Sequence, residues 1–362
     1  MKKEKKGEGR IRVIILMMVM MMVMMGCNSG GVKGEGTGGG VKSLSEVLLE
    51  VGRSAENVFY SFLELVSGSL GFAVKATTKK NEVGDYFDGL GKKLEIASAE
   101  LEKVAEKASA DVDKEGILNK GIRAAVDTAK TTLSTLKGHL ESLKGIGDGN
   151  KVVDVANDQN GVAANSDALK IVYKALKGIV EIATKQGVKE PSSSNVTLAQ
   201  ASIGVNEAKN GAKVLAAGAN AGAAVGEKAA LIVSSVRGEE MLASIVKSTE
   251  GDVKELGAAA DANTTPLEFA VGGGNAEHLA KDVALAGAVS GGIALRSLVK
   301  EGKLAANNGG DDNKAVQSAG ITAVNKLLGA VEGIVKKTVK NVLEKVKQKI
   351  DKAREPKAVG QQ

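Results

Sequence analysis

The segment Val324-Asn-Lys-Leu-Leu-Gly-Ala-Val-Glu-Gly-Ile-Val-Lys336-Lys-Thr-Val-Lys-Asn-Val-Leu-Glu-Lys-Val-Lys-Gln-Lys-Ile350 repeats its apolar residues with the period of an α-helix. Val324, Leu327, Leu328, Val331, Ile334, Val335, Val339, Val342, Leu343, Val346 and Ile350 fall three or four apart and make one long stripe. Positions 336–357 carry nine Lys/Arg against three Asp/Glu, a local charge of +6. A basic amphipathic helix binds nucleic acid, binds lipid head groups, or packs its stripe into its own core. The breadth of this stripe predicts a core helix with a solvated basic face, its partner being a first helix near residues 44–51.

The same period recurs upstream. Leu44, Val47, Leu48 and Val51 open a helix with Ser43 or Ser45 as N-cap, continued by Val58, Phe62, Leu65 and Val66. A second helix is predicted over 91–110 (Leu94, Ala97, Leu101, Val104, Ala108), with Glu102, Glu106, Lys103 and Lys107 on its solvated side. A third over 117–144 aligns Ile122, Ala125, Val126, Ala129, Leu133, Leu136, Leu140 and Leu143. Asp167 caps a fourth, bearing Leu169, Val172, Leu176, Ile179, Val180 and Ala183, which stops at Gly187 and Pro191. Aromatics make up 2% of the chain, Trp is absent and Pro occurs three times. The core is therefore built from Ala, Val, Leu and Ile, and an all-α fold is expected. Most of the aromatic residues (Phe59, Tyr60, Phe62, Phe72, Tyr86, Phe87) lie early in the chain and read as core packing.

Residues 192–320 differ in kind, being dominated by Gly and Ala. Gly218-x₃-Gly222-x₃-Gly226 would suit a membrane helix pair, but Asn220, Glu227 and Lys228 interrupt it, so a tightly packed soluble helix or a glycine-rich loop is expected. Loops after Gly257, around Gly272 and at Asn307-Asn-Gly-Gly-Asp-Asp312 read as polar and tolerant of change. Asp311, Asp312 and Asn313 lack the spaced ligands of a calcium loop. Gly145-Ile-Gly-Asp-Gly149 follows a helix rather than a strand, which argues against a dinucleotide site.

At the other end, Lys2, Lys3, Lys5, Lys6, Arg10 and Arg12 precede 13 apolar residues, Val13 to Met25, and then Gly26-Cys27. Thirteen helical residues cover roughly 20 Å, short of a ~30 Å hydrocarbon core, so this is a secretory signal rather than a span. Cys27 is the sole cysteine, sitting where a lipoprotein signal places its acylated residue, with cleavage between Gly26 and Cys27. A thiolate takes a diacylglyceryl group, and the freed amine takes a further acyl chain. One chain of about 15 methylenes is worth on the order of 12 kcal/mol before costs, and two or more chains hold firmly. Residues 28–40, with seven glycines in 13 positions, read as a flexible tether reaching about 20 Å.

Removal of the first 26 residues leaves 336 of the 362, enough for one large domain or two ordinary ones. The formal charge of +6 falls to about +2, because the signal carries six Lys/Arg and two Asp/Glu. Nucleic acid is therefore not expected as a partner. With only His139 and His278, and no thiol left after lipidation, the usual four-ligand His/Cys metal site cannot be assembled, and no cofactor is expected beyond the covalent lipid on Cys27. No catalytic motif stands out; Glu239-Glu240 read as solvated helix surface.

The segment from Ala315-Val-Gln-Ser-Ala-Gly through Lys326-Leu-Leu-Gly-Ala-Val-Glu-Gly-Ile-Val-Lys336 to Lys347 resembles that of the variable large proteins of relapsing-fever spirochaetes (Borrelia). Ala294-Leu-Arg-Ser-Leu-Val-Lys-Glu-Gly-Lys-Leu304 is similar to an invariant helical segment of the related Vls surface antigens, and the Met-rich signal with Gly26-Cys27 agrees. The resemblance implies a non-catalytic, lipid-anchored outer-membrane antigen facing the extracellular space. It would be expressed one variant at a time and exchanged to escape host antibody. Its partners would be outer-membrane lipid, through Cys27, and host antibodies; a host ligand and a homo-oligomer are left open. The competing reading is an adhesin or host-ligand-binding lipoprotein. The expected organisation is a signal at 1–26, acylated Cys27 and tether at 27–40, one helical surface-antigen domain at 41–355 with variable loops mainly within 145–320, and a disordered tail at 356–362. The expected architecture is an elongated helical bundle, its long N- and C-terminal helices packed near the membrane and its distal end rich in loops.

Overall fold

A computed structural model describes residues 71–110, 117–156, 160–307 and 310–354. The signal, Cys27, the tether, the helix expected from Leu44, the aromatics Phe59, Tyr60 and Phe62, and the tail at 356–362 lie outside the described residues. The fold is all-α, as the periodicity requires. Two long helices come first: α1 (Lys80–Ala110) and α2 (Ile117–Ser142), the latter running into a 3-10 turn at Leu143–Gly145. After α3 (Ser166–Lys185) come α4 (Gln200–Ile203), a 3-10 segment (Ala208–Leu215), α5 (Gly226–Ser234) and α6 (Gly238–Lys247). Then follow α7 (Pro266–Val271), α8 (Ala276–Leu279), α9 (Ala286–Leu298) and α10 (Gly310–Arg354). Strand structure, which the sequence does not suggest, is limited among the described residues to a two-residue parallel pair, β1 (Val155–Ala156) and β2 (Leu304–Ala305), in which Val155 faces Leu304.

The predicted stripes are the buried faces. Leu133, Leu136 and Leu140 of α2 have no exposed surface, and Leu94, Ala97 and Leu101 of α1 pack against them. α1 begins at Lys80, not near 91 as expected. Gly84 and Gly89 hid the continuation, yet Val83, Phe87 and Leu90 extend the same buried face. Gly84 is needed there, because a Cβ would come within 2.5 Å of the Lys144 carbonyl oxygen. The cap of α3 is Asn165, whose Oδ1 accepts the Ala168 N–H at 3.1 Å; Asp167 instead sits in the first turn, favourable to the helix dipole. The Gly218–Gly222–Gly226 spacing is a loop, with Gly218 and Gly222 at φ +73° and +75°, leading into α5.

Ten stripe residues of α10, from Val324 to Val346, are buried, and Lys336, Lys337, Lys340, Lys345, Lys347 and Lys349 are exposed. Five helices cover the stripe: α2, α3, α5, α6 and α9. α10 also holds both ends of α5. Asp312 Oδ1 accepts the N–H groups of Val225 and Gly226 (2.8 and 2.7 Å) at its start. Lys326 Nζ donates to the carbonyls of Val233 and Val236 (both 2.7 Å) at its end. An anion at a helix N-terminus and a cation at its C-terminus each complement the helix dipole and fill orphan backbone groups.

Lys326→Met keeps the aliphatic stem and removes the donor. It should lower unfolding stability in urea by about 1–3 kcal/mol, the penalty of leaving buried carbonyls unpaired. Lys347→Met, on the exposed face, should change it by less than about 0.5 kcal/mol. Equal effects would show that Lys326 is not holding α5.

Candidate functional site

Gly26 and Cys27, the predicted processing and lipidation residues, lie outside the described residues. The remaining candidates are brought to no common centre. His139 lies half-buried on α2, its ring packed over Gly178 of α3, where any Cβ would collide with it. Burial lowers the His139 pKa, with Glu181 opposing. His278 is also half-buried, on α8. Glu240 accepts the Arg237 N–H at 2.7 Å at the start of α6, while Glu239 lies 3.8 Å from Lys337. Asp312, read as part of a permissive loop, is committed to α5: its Oδ2 also accepts the Asn307 N–H at 2.7 Å. Among the described residues no group of three or more His, Cys, Asp or Glu could hold a metal ion, and no helix is long and apolar enough to cross a membrane.

What the structure does build is a set of exposed segments interrupted by buried anchor residues, together with a fully buried helix. All thirteen residues of α9 are buried. Its sequence, Ala-Gly-Ala-Val-Ser-Gly-Gly-Ile-Ala-Leu-Arg-Ser-Leu, explains why: small residues let neighbours approach on every side. At Gly291 a Cβ would press on Pro266, and at Gly292 it would strike Phe269, both on α7. Around α9 the stretches 189–195, 200–207, 217–224, 251–263 and 274–283 are largely solvent-facing. Buried small or aliphatic residues anchor most of them. Ala221 is fully buried within 217–224; Leu256 and Ala260 pin 251–263 through N–H bonds to the carbonyls of Gly272 and His278 (both 2.8 Å); Leu279 and Ala280 pin 274–283. Polar residues between the pegs point outward.

Arg296 holds this arrangement together. Its side chain is completely buried, and it donates from Nε to Ala270 O (2.9 Å), from Nη1 to Ala216 O (2.9 Å) and from Nη2 to Phe269 O (3.2 Å). Phe269 and Ala270 lie in the last turn of α7, and Ala216 closes the 3-10 segment, so one guanidinium satisfies the negative ends of two helices. Burial pulls its pKa down to about 9, leaving it charged at neutral pH. Lys80 acts similarly at the end of α9, donating to Val299 O and Gly302 O, both at 2.7 Å. Burial lowers its pKa to about 8 against the attraction of Asp148 and Asp154.

Two expectations are corrected here. Gly272 is not in a tolerant loop: at φ +69° it is left-handed, and a Cβ would run into Leu215 O and Arg296 Nη2. Asp312 is likewise fixed by the three amides it accepts. The sequence reading also missed Arg296, Lys80 and Lys326 as organising residues. For Arg296 a signal was present, since it is the one charge in the 13 residues of α9.

Comparison with known proteins follows the same outline. Residues 55–350 match the model of a family described as Borrelia lipoprotein. The chain is 63% identical over 342 residues to variable large protein 25 of Borrelia hermsii, covering 93% of each, and 59% identical over 326 residues to variable large protein 18 of the same organism, covering 90% of this chain and 88% of that one. Among solved structures, the Lyme disease variable surface antigen VlsE of Borrelia burgdorferi superposes with a TM-score of 0.66 at 25% identity, over 84% of this chain and 98% of that chain.

Gly272→Ala should cost at least about 2 kcal/mol in chemical denaturation, from backbone strain and displacement of the guanidinium; a neutral result would mean the loop is free to rearrange. Lys80 gives a pH signature. Its folded pKa is depressed, so between about pH 8 and 10.5 the unfolded chain binds the extra proton and stability rises with pH. The neutral amine keeps two N–H groups for its two carbonyls. The difference in unfolding free energy between the native chain and Lys80→Met should therefore widen in favour of the native chain from pH 8 to 10, and a flat difference would contradict the burial.

Proposed function

We propose, from the premise that the chain belongs to the Borrelia lipoprotein family, among its variable large proteins, that it is a non-catalytic surface antigen acylated on Cys27, tethered by residues 28–40 and displayed on the outer membrane. Its role is antigenic variation, with evasion of host antibody as the outcome. What supports this most directly is the contrast between a completely buried α9 and the exposed polar residues pegged around it. Substitutions away from buried features usually shift stability within about ±0.5 kcal/mol. Residues between the pegs are thus free to differ while Arg296, Gly272 and the small residues of α9 keep the body folded. Antibody meets the first set; the fold depends on the second.

Mass spectrometry of the mature chain should give an N-terminal cysteine at position 27 carrying three acyl chains, and protease applied to intact cells should remove the protein from the surface. A chain retaining residues 1–26 with a free thiol would overturn the anchoring. A triple variant at exposed positions, Ala223→Lys, Lys254→Glu and Asn263→Lys, should lose most binding by antibody raised against the unmodified chain while its unfolding midpoint barely moves. Unchanged titres would put the antigenic surface elsewhere.

A further inference from the structure

The lysines of this chain are not all used alike. In the α1–α2 pair they are neutralised within the fold: Lys92 and Lys144 meet Asp88 at 2.8 and 2.9 Å, Lys137 meets Glu95 at 2.9 Å, and Lys130 meets Glu102. The second half of α10 is different. Lys340 has Glu344 at 3.6 Å and Lys337 has Glu239 at 3.8 Å, both loose, and Lys345 meets only the neutral Gln186. Lys336, Lys347 and Lys349 are exposed with no carboxylate partner among the described residues. Lys336, Lys340 and Lys347 fall within about 40° of one another around the helix, making one outward line. The apolar stripe beside it is buried, so this is a charged surface on a rigid rod, not an amphipathic helix free to insert.

The first described residue after position 70 is held close to this surface. Gly71, the first described residue, donates its N–H to Glu332 Oε2 at 3.2 Å, and Val74 exchanges hydrogen bonds with Asn325 (2.8 and 3.1 Å). From 71 to 74 the chain therefore runs along α10 from Glu332 towards Asn325, away from the lysines. Gly71, where the described chain begins, is thus held at Glu332, one turn or ~6 Å along α10 from Lys336. We propose that the outward lysine line of α10, Lys336–Lys340–Lys347, is a contact surface for anionic lipid head groups, resting on the reading that Cys27 is acylated. Acylation supplies the bilayer at close quarters, and the lysines then orient the body against it. Basic residues near an anionic surface each strengthen association by about five-fold, an effect that falls off within a Debye length.

The test uses the mature acylated chain reconstituted in vesicles and labelled with a water-soluble amine-acetylating reagent, with each lysine followed by peptide mass spectrometry. In vesicles of 30% phosphatidylglycerol and 70% phosphatidylcholine at low salt, Lys336, Lys340 and Lys347 should be acetylated about five-fold more slowly than in pure phosphatidylcholine. Lys314, on the same helix about 33 Å away, should be unaffected. The protection should vanish at 0.5 M salt, and in Lys336→Gln/Lys340→Gln it should vanish at Lys347. Equal rates in the two vesicle types overturn the proposal. So does protection by soluble heparin without protection by phosphatidylglycerol, which would assign the surface to a sulfated polymer. The mass of the mature N-terminus reports separately on whether the anchor exists, so the two readings can fail independently.

Discussion

Helix ends are the constraint on which this structure depends. Between residues 192 and 320 the chain turns through α4 to α9, most of them short, and a short helix exposes as many orphan amides and carbonyls as a long one. Buried without partners, each would cost on the order of 1–3 kcal/mol. Long charged side chains from α1, α9 and α10 meet them with the sign the dipole demands. Arg296 closes α7 and the 3-10 segment, Lys80 closes α9, Lys326 closes α5 and Asp312 opens it. The buried cations donate to neutral carbonyls rather than carboxylates, so their desolvation is offset chiefly by those hydrogen bonds and partial charges, with more distant attraction from Asp148 and Asp154 at Lys80 and from Glu240 at Lys326.

This way of holding short helices divides the surface sharply into fixed and free positions. A glycine such as Gly272 and a carboxylate such as Asp312 look, in sequence, like ordinary loop residues. In the fold they sit at the junctions where helix ends are satisfied, and replacing either exposes backbone groups that nothing else can reach. Positions one or two residues away, such as Gly274 or Asp311, are solvent-facing. Tolerance to change in this region follows the placement of the pegs rather than loop membership, which is the property an antigen under antibody pressure needs from its scaffold.

The stripes of α1, α2, α3 and α10 were legible because burial on one helical face imposes the 3.6-residue period on side-chain size, and every described member of the α10 stripe is buried. Boundaries were less legible. Gly84 and Gly89 masked the first eleven residues of α1, since glycine reads as a helix breaker; here Gly84 marks the close approach of Lys144, while Gly89 faces open space. The region around α9 was legible only as unusual. A helix buried on all sides has no amphipathic period, so 286–298 gave no orientation, and its solitary arginine carried the information instead. The reading of Cys27 and its flanks rests on residue chemistry alone, and they lie outside the described residues.

The same distribution of cations bears on orientation at a surface. A chain that uses Lys80, Arg296 and Lys326 to satisfy carbonyls, and pairs the lysines of α1 and α2 with carboxylates, leaves its strongest unmatched charge on one end of one helix. Solubility alone does not require that concentration, because residues 27–362 together carry only about +2 and charge could be spread evenly. Cations gathered on the rigid end of α10 instead form a local surface complementary to anions. The start of α10 and Asp312 lie roughly 30 Å or more along the helix from the charged line. The segment around α5 that Asp312 secures therefore sits at the far end of α10 from that charge.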